Sequence, residues 1–287
     1  MRLPQRWVPL TDLRRYGPMV SLVDHQARFG EHLRWWRRYR RLSQLDLGGL
    51  AGVSAKHLSF LETGRSSPSR EMVLHLARHL EVPVRYQNDL LAAAGYAARF
   101  AERSLDDQAM AEVRRVVDLH LDHHEPYPAI CVDRRWDLLA ANGAAQLFLH
   151  DVAPELLEPP INVVRISLHP AGLAPRVRNF DAYAAHLLGR LRLQAARTAD
   201  PDIAALLDEV STYVDVDAHG AGDEPPGPML PLRIDHNGHE LALISTIATI
   251  GAPLDITTAE LAIEAFYPAD PATASTLARL AEVSAPM

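Results

Sequence analysis

Cysteine is almost absent: Cys131 stands alone among 287 residues. A disulfide within the chain is therefore excluded, and a cysteine-based zinc site has no second thiolate. Lysine is equally scarce. Of the 29 basic residues all but Lys56 are arginine, which reads as composition bias. No apolar run approaches the ~20 residues that span a bilayer, and residues 1–30 lack the apolar core and cleavage site of a secretory leader. No glycine-rich phosphate loop and no Gly-x-Ser-x-Gly motif occurs, so nothing local points to an enzyme. What is present is an ordinary globular composition, 48% hydrophobic and 23% charged, with length for about two domains. The expectation is a cytoplasmic protein with no cofactor and no membrane partner.

Charge divides the chain. Residues 1–100 hold 16 basic and 8 acidic side chains, whereas the rest of the chain holds 13 and 28. A basic front on an acidic back suggests an anionic partner at the front, with nucleic acid as the leading candidate.

Pro4, Pro9, Gly17 and Pro18 make residues 1–28 an irregular extension, and Met19 is a conceivable start. From residue 29 the pattern is helical to Gly95. Phe29, Leu33 and Trp36 share one face of a helix over about 29–41. Ser43, Ser54 and Ser69 are N-caps for helices over 44–51, 55–63 and 70–80. Gly52 and Gly64 end two of them, and Pro83 precedes a fifth helix over 85–94. Residues 29–95 thus form an all-α module of five short helices. Residues 96–107 read as a polar linker.

Residues 108–287 have a different texture. After a helix over about 108–124, Tyr127–Asp133 and Trp136–Ala141 read as strands around an Asp-Arg-Arg turn. Helices follow from Asn142 to His150 and near 161–168, 179–198 and 202–213. The Gly/Pro-rich stretch 218–228 is a loop. Asn237-Gly238 between apolar runs is a tight hairpin signal. Leu261, Ile263, Ala265 and Tyr267 alternate like a last strand, and Asp270-Pro271 starts a final helix. The order predicts an α+β domain with a five-stranded antiparallel sheet carrying its helices on one face.

The spacing Ser43-Gln44-Leu45-Asp46-Leu47, Ala51-Gly52-Val53-Ser54, Leu58-Ser59, Leu61-Glu62-Thr63-Gly64-Arg65 resembles the lambda-repressor-like (XRE) helix-turn-helix family. The resemblance covers residues 29–95 and implies binding of double-stranded DNA. Carried over residue by residue, it puts Gln44 and Ser54 on the DNA backbone and lets Ala55, Lys56, Ser59 and Phe60 reach base edges. Lys suits guanine N7/O6, and Ala and Phe suit thymine methyls. Arg65, Ser67 and Arg70 fall where phosphate contacts follow the recognition helix. Glu62 resembles the family's internal acid, pairing with Arg37. Gly48 departs from the family's small non-glycine residue. Next to Gly49 it gives a pair costing ~1 kcal/mol each relative to Ala.

A wider set of segments is similar to the MmyB-like transcription regulators. These are Leu90-Leu-Ala-Ala-Ala-Gly-Tyr96, Glu125-Pro-Tyr-Pro-Ala-Ile-Cys-Val-Asp-Arg-Arg-Trp136, Leu168-His-Pro-Ala-Gly-Leu173 and Thr258 to Asp270. That resemblance implies a PAS-like ligand-binding domain behind the helical one, a lipophilic acid such as a fatty acid as ligand class, and a homodimer on DNA. Trp136, Phe148, Val164, Ile244 and Phe266, with Leu138 and Leu147, are candidate lining residues, although each also suits plain core. Arg165, flanked by apolar residues, is the candidate carboxylate anchor, since Arg grips carboxylate bidentately. Asn142 is either a ligand partner or a helix cap.

Two rival readings remain. The second domain could bind a protein instead of a small molecule. His120, His123, His124 and Glu125 could alternatively form a metal site of a hydrolase fused to the DNA-binding head. Without a His-Glu-x-x-His motif, a solvated histidine face explains them better.

Overall fold

Serine hydroxyls open three of the first five helices. In the computed structural model, which describes residues 25–214, 229–251 and 253–284, helix α1 spans His25–Tyr39 and is followed by α2 (Gln44–Ala51), α3 (Ala55–Glu62), α4 (Arg70–His79) and α5 (Val84–Ala93). The Ser43, Ser54 and Ser69 hydroxyls accept from the backbone N–H of Asp46, His57 and Met72. Each satisfies a donor that a helix start leaves without a partner. Asp46 returns the favour to the Ser43 N–H, completing a capping box. Gly52 then takes the left-handed conformation at φ 63° that closes α2 and starts the turn.

Phe29, Leu33 and Trp36 are buried, as their spacing predicts, on a helix that packs on α3 and α5. Helix α1 begins before the expected residue 29, at His25. Phe29 stands one turn into the helix. The proline-broken stretch before His25 and the loop over 218–228 lie outside the described residues. Gly48 has a different meaning from the expected one. It is buried, and a Cβ there would sit 2.5 Å from the Val53 carbonyl oxygen. The close approach of α2 to the turn demands glycine, whereas Gly49 faces open space.

The expected linker is ordered against the head. Asn88 Oδ1 accepts from the N–H groups of Arg99 and Phe100, and its Nδ2 donates to the Phe100 carbonyl. Arg85 pairs with Glu102 at 2.6 Å. Residues 253–259, carrying the short helix α10 (Ile256–Ala259), fold with this same unit. Arg103 pairs with Asp255 at 2.8 Å, and Ile256 N–H donates to the Ala101 carbonyl. The first unit is thus residues 25–103 with 253–259, and the second is 104–251 with 260–284.

The second unit opens with α6 (Ala111–His123) and is built on five strands: β1 (Ala129–Val132), β2 (Leu138–Ala141), β3 (Leu232–His236), β4 (His239–Thr249) and β5 (Ala262–Pro268). All neighbouring strands are antiparallel, in the order β2-β1-β5-β4-β3. Asn237 and Gly238, both at positive φ, make the β3–β4 turn. Helices α7 (Val163–Leu168), α8 (Phe180–Thr198) and α9 (Pro201–Ser211) lie between β2 and β3, and α11 (Pro271–Ser284) follows β5.

Helices cover both faces of this sheet, not one. Cys131, Ala129 and Ile263 pack with Val117 and Leu121 of α6, while Ile130, Val132 and Phe266 pack with Ile166 and Leu277 on the other side. The reason is in β1, Ala-Ile-Cys-Val, buried at every position. A continuous apolar run marks a strand covered on both faces, where one wet face would need alternation. Cys131 is inert in this setting, its thiol pushed up to about 12 by burial and by the charges of Asp133 and Asp118.

Candidate functional site

Two surfaces concentrate chemistry, one in each unit. On the first unit, α3 presents the residues that the sequence singles out. Leu58 and Leu61 are buried beneath it. Lys56 is exposed and Ser54 exposed at the helix start, while Ala55, Ser59 and Phe60 are half-buried along its outer face. The Lys56 ammonium lies 5.7 Å from the Phe60 ring centroid, one turn on. Arg65, Ser67 and Arg70 are exposed just beyond.

Beneath that face lies a charged cluster. Arg37 Nε donates to Glu62 Oε1 at 2.6 Å and Nη2 to Oε2 at 2.9 Å, while Nη1 donates to the Leu42 carbonyl. Gln44 Nε2 also donates to Glu62 Oε2, at 2.9 Å, so its amide is engaged inside the unit. Arg34 donates to the Glu62 carbonyl. Burial pushes the Glu62 carboxyl up, but the hydrogen bonds from Arg37 and Gln44 and the Arg37 charge outweigh it and hold the group below the usual range. The Arg37 guanidinium is correspondingly raised, chiefly by its bond to Glu62.

The second unit holds a cavity between the sheet and helices α7 and α8. Its atom-free space, open solvent at the mouth included, comes to about 780 Å³. Trp136, Phe148, Val164 and Phe266 line it, as do Leu138 and Tyr183. Ile244 does not. It lies half-buried on β4 opposite Tyr267, while its neighbours Leu241 and Leu243 take the inward positions.

Arg165 and Asn142 are not lining residues either. Arg165 Nε and Nη2 grip Glu209 at 2.5 and 2.8 Å, tying α7 to α9, and Tyr213 donates to the same carboxylate. The bond to Glu209 raises the Arg165 guanidinium and lowers the Glu209 carboxyl. The bidentate grip expected for a ligand is thus spent on a neighbouring helix. Asn142 is saturated by backbone: it accepts from Ala129 and Ala145 and donates to Tyr127 and Leu121. It caps the 3-10 turn Gly143–Leu149 and ties it to β1. His124 and Glu125 are likewise engaged locally. The His124 Nε2 lies 2.8 Å from the Phe266 carbonyl, and Glu125 accepts from Gly143 and Ala144.

The cavity's charged groups are ones that sequence reasoning missed. Arg190 of α8 and Glu264 of β5 both line it. The Arg190 guanidinium lies 4.6 Å over the Trp136 ring, and its Nη1 reaches Glu264 Oε1 at 3.3 Å. Glu264 is buried, on the central strand of the sheet. Arg190 Nη2 is buried with no hydrogen-bond partner. Tyr183, two turns earlier on the same face of α8, has its phenol pushed upward by burial and by the Glu264 charge.

Comparison with known proteins agrees with this division. Residues 113–280 match the MmyB-like transcription regulator ligand binding domain, and residues 28–88 match a helix-turn-helix domain. The chain belongs to the MmyB-like transcription regulators. A putative HTH-type transcriptional regulatory protein of Methanosphaerula palustris is 29% identical over 118 residues, 41% of this chain and 39% of its own length. The uncharacterized HTH-type transcriptional regulator RghRB of Bacillus subtilis is 40% identical over 75 residues, 26% of this chain and 52% of its own. The chain therefore spans about two fifths and about half of these curated relatives. For this MmyB-like regulator, the cavity lies wholly within the matched ligand-binding domain, and α3 wholly within the matched helix-turn-helix. No described helix is long and apolar enough to cross a membrane.

Proposed function

We propose that this MmyB-like protein is a transcription regulator, not an enzyme, that reads duplex DNA with α3 and senses a small lipophilic ligand in the cavity of its second unit. The observation that carries the reading is the cavity itself: a largely apolar chamber with one charged pair, in a chain whose other unit is a helix-turn-helix head. The antiparallel order β2-β1-β5-β4-β3 supports a PAS-like sensor, and the resemblance suggests a fatty acid as ligand class. Lys56, Ala55, Ser59 and Phe60 read bases in this proposal. Ser54, Arg65, Ser67 and Arg70 hold the backbone, and Gln44 does so with its second Nε2 hydrogen, the first going to Glu62.

Two chains act together as a homodimer. A single head covers one half-site, and two heads span half-sites about one helical turn apart, ~34 Å, or a multiple of it. The ligand must then favour one arrangement of the heads, with couplings of ~1–3 kcal/mol typical. Chain connectivity supports such transmission, because strands β4 and β5 of the sensor sheet are joined through residues 253–259, which fold with the head.

The test is binding of the whole protein to an inverted-repeat duplex, with and without a medium-chain acid. Lys56→Ala should weaken specific binding by ~1–3 kcal/mol and relax choice at one base position, whereas Arg65→Ala should weaken all sequences alike and reduce the salt slope by about one. Equal affinity for a lone half-site in one-to-one stoichiometry removes the dimer. Unchanged sequence preference in Lys56→Ala removes the recognition register.

A further inference from the structure

A charge on the central strand of a sheet, facing an apolar cavity, is an expensive arrangement. Well-packed apolar residues of similar size would serve stability as well or better than such a pair. Glu264 is nonetheless there, on β5 between Ile130 of β1 and Ile247 of β4. Its partner Arg190 stands on α8, 74 residues away in sequence, and meets it with one 3.3 Å bond. The pairing is incomplete: Arg190 Nη2 is buried without an acceptor. The Trp136 ring below the guanidinium supplies a π face but no oxygen. Arg190 and Glu264 both line the cavity, one with a donor in want of an acceptor and the other with a carboxylate that can accept.

Building on the proposed sensing role of this cavity, we infer that the Arg190–Glu264 pair recognises an uncharged polar end: the ligand is a lipophilic chain ending in a group that both accepts and donates a hydrogen bond, such as a primary alcohol, a primary amide or a carboxylic acid in its protonated form. The end group's oxygen accepts from Arg190 Nη2, and its hydrogen goes to Glu264.

The charge balance selects this class. Arg190 and Glu264 together are formally neutral. A carboxylate or sulfate end would leave a net negative charge in an apolar chamber, beside a carboxylate already there. Two carboxylates in one site cannot both stay ionised cheaply, and the pKa of one is driven up. An ammonium end would meet the mirror problem at Arg190. A fatty acid entering this cavity is thus expected to bind with its proton retained.

The experiment uses the full chain and ten-carbon probes of one length: decan-1-ol, decanamide, decanoic acid, decylammonium and decyl sulfate, titrated calorimetrically. Decanol and decanamide should bind at least about tenfold tighter than decyl sulfate. The apparent affinity for decanoic acid should fall about tenfold per pH unit above the free acid's pKa, because only the protonated form is taken. Decanol should show no such slope, and it serves as the control for protein groups. Those facing the pair are Tyr183 and His186 on α8. His186 is pushed down by burial and by the Arg190 charge.

In Glu264→Gln the repelling carboxylate is gone while Arg190 remains. Decyl sulfate and ionised decanoate should gain about tenfold or more, and the acid's pH slope should flatten. Wild-type protein that binds decyl sulfate, or decanoate at pH 8, as tightly as decanol overturns the inference and leaves the sensing role standing. Failure of every probe to bind overturns both. Because the wild-type series alone decides between the end groups, the inference stays testable if Glu264→Gln does not fold.

Discussion

Each unit of this regulator holds, among its described residues, an arginine paired with a buried glutamate, Arg37 with Glu62 and Arg190 with Glu264, and the two pairs differ in how completely they are satisfied. In the head, Arg37 spends Nε and Nη2 on Glu62 and Nη1 on the Leu42 carbonyl, and Gln44 adds a further donor to Glu62. In the second unit, Arg190 has one long bond to Glu264 and an unmatched Nη2. A saturated pair has nothing left to offer a ligand and acts as a fastener between α1, α2 and α3. An unsaturated pair facing a cavity retains the capacity to bind. Completeness of hydrogen bonding separates a structural charge from a recognition charge better than burial does, because Glu62 and Glu264 are both buried.

The sharpest way to break this comparison is to remove each carboxylate. Glu62→Ala should cost roughly 3–5 kcal/mol, the range for a buried pair that loses one partner, and should unfold the head at moderate temperature. Glu264→Gln should cost about 1 kcal/mol, the worth of an ordinary hydrogen bond, because Arg190 keeps Trp136 beneath it. Thermal and urea unfolding of the two variants would check the order. Equal losses would erase the distinction.

Acidity probes the same contrast. The Glu62 carboxyl is held low in the folded head. Its contribution is therefore present above the ~4.3 of an unfolded glutamate, and is lost as pH falls through the lower folded value. Head unfolding followed from pH 6 to pH 2 should show stability dropping below about pH 4.3. The drop should shrink in Glu62→Gln, which starts from a lower plateau. A wild-type profile flat across that window would contradict the pairing.

A second test concerns neighbours of one kind. Gly48→Ala pushes a Cβ against the Val53 carbonyl, which belongs to backbone and cannot turn aside. A loss of ~1–3 kcal/mol is expected from such overpacking. Gly49→Ala adds a methyl in open space and should gain up to ~1 kcal/mol from helix propensity. Urea midpoints of opposite sign would verify both.

These glycines also mark what the amino-acid order reveals and what it hides. Caps at Ser43, Ser54 and Ser69 and the Asn237-Gly238 turn were legible because their hydrogen bonds and dihedrals are decided within four residues. The difference between Gly48 and Gly49 was not, since it depends on how α2 approaches the turn before α3. The cavity shows the same limit at longer range. Helix α8 carries Arg190, Arg192 and Arg197, and only the fold places Arg190 against a carboxylate 74 residues away. Glu264 sits between Ile263 and Ala265, so alternation reads it as the wet side. With α6 covering one face and the cavity facing the other, neither side of β5 is wet there. Trp136, Phe148, Val164 and Phe266 were recoverable as apolar residues near the strands, because a cavity lining and a core draw on the same side chains.

The smallest effect belongs to the arginine that sequence reasoning favoured. Arg165 is bound to Glu209 on both oxygens, and both side chains are about one third exposed at 33% and 38%. Solvent screening at that exposure limits such a pair to less than ~1 kcal/mol. Arg165→Ala should thus lower the midpoint of thermal unfolding slightly, by loosening α7 from α9. Ligand binding should keep its wild-type order, with decanol, decanoic acid and its methyl ester each within about twofold of their wild-type affinities, since Arg165 does not line the cavity. The same titrations in Arg190→Met should instead abolish the advantage of decanol over the methyl ester, which can accept a hydrogen bond but cannot donate one. Loss of discrimination in Arg165→Ala with Arg190→Met unaffected would move the polar end of the ligand to α7 and reverse the assignment of the two arginines.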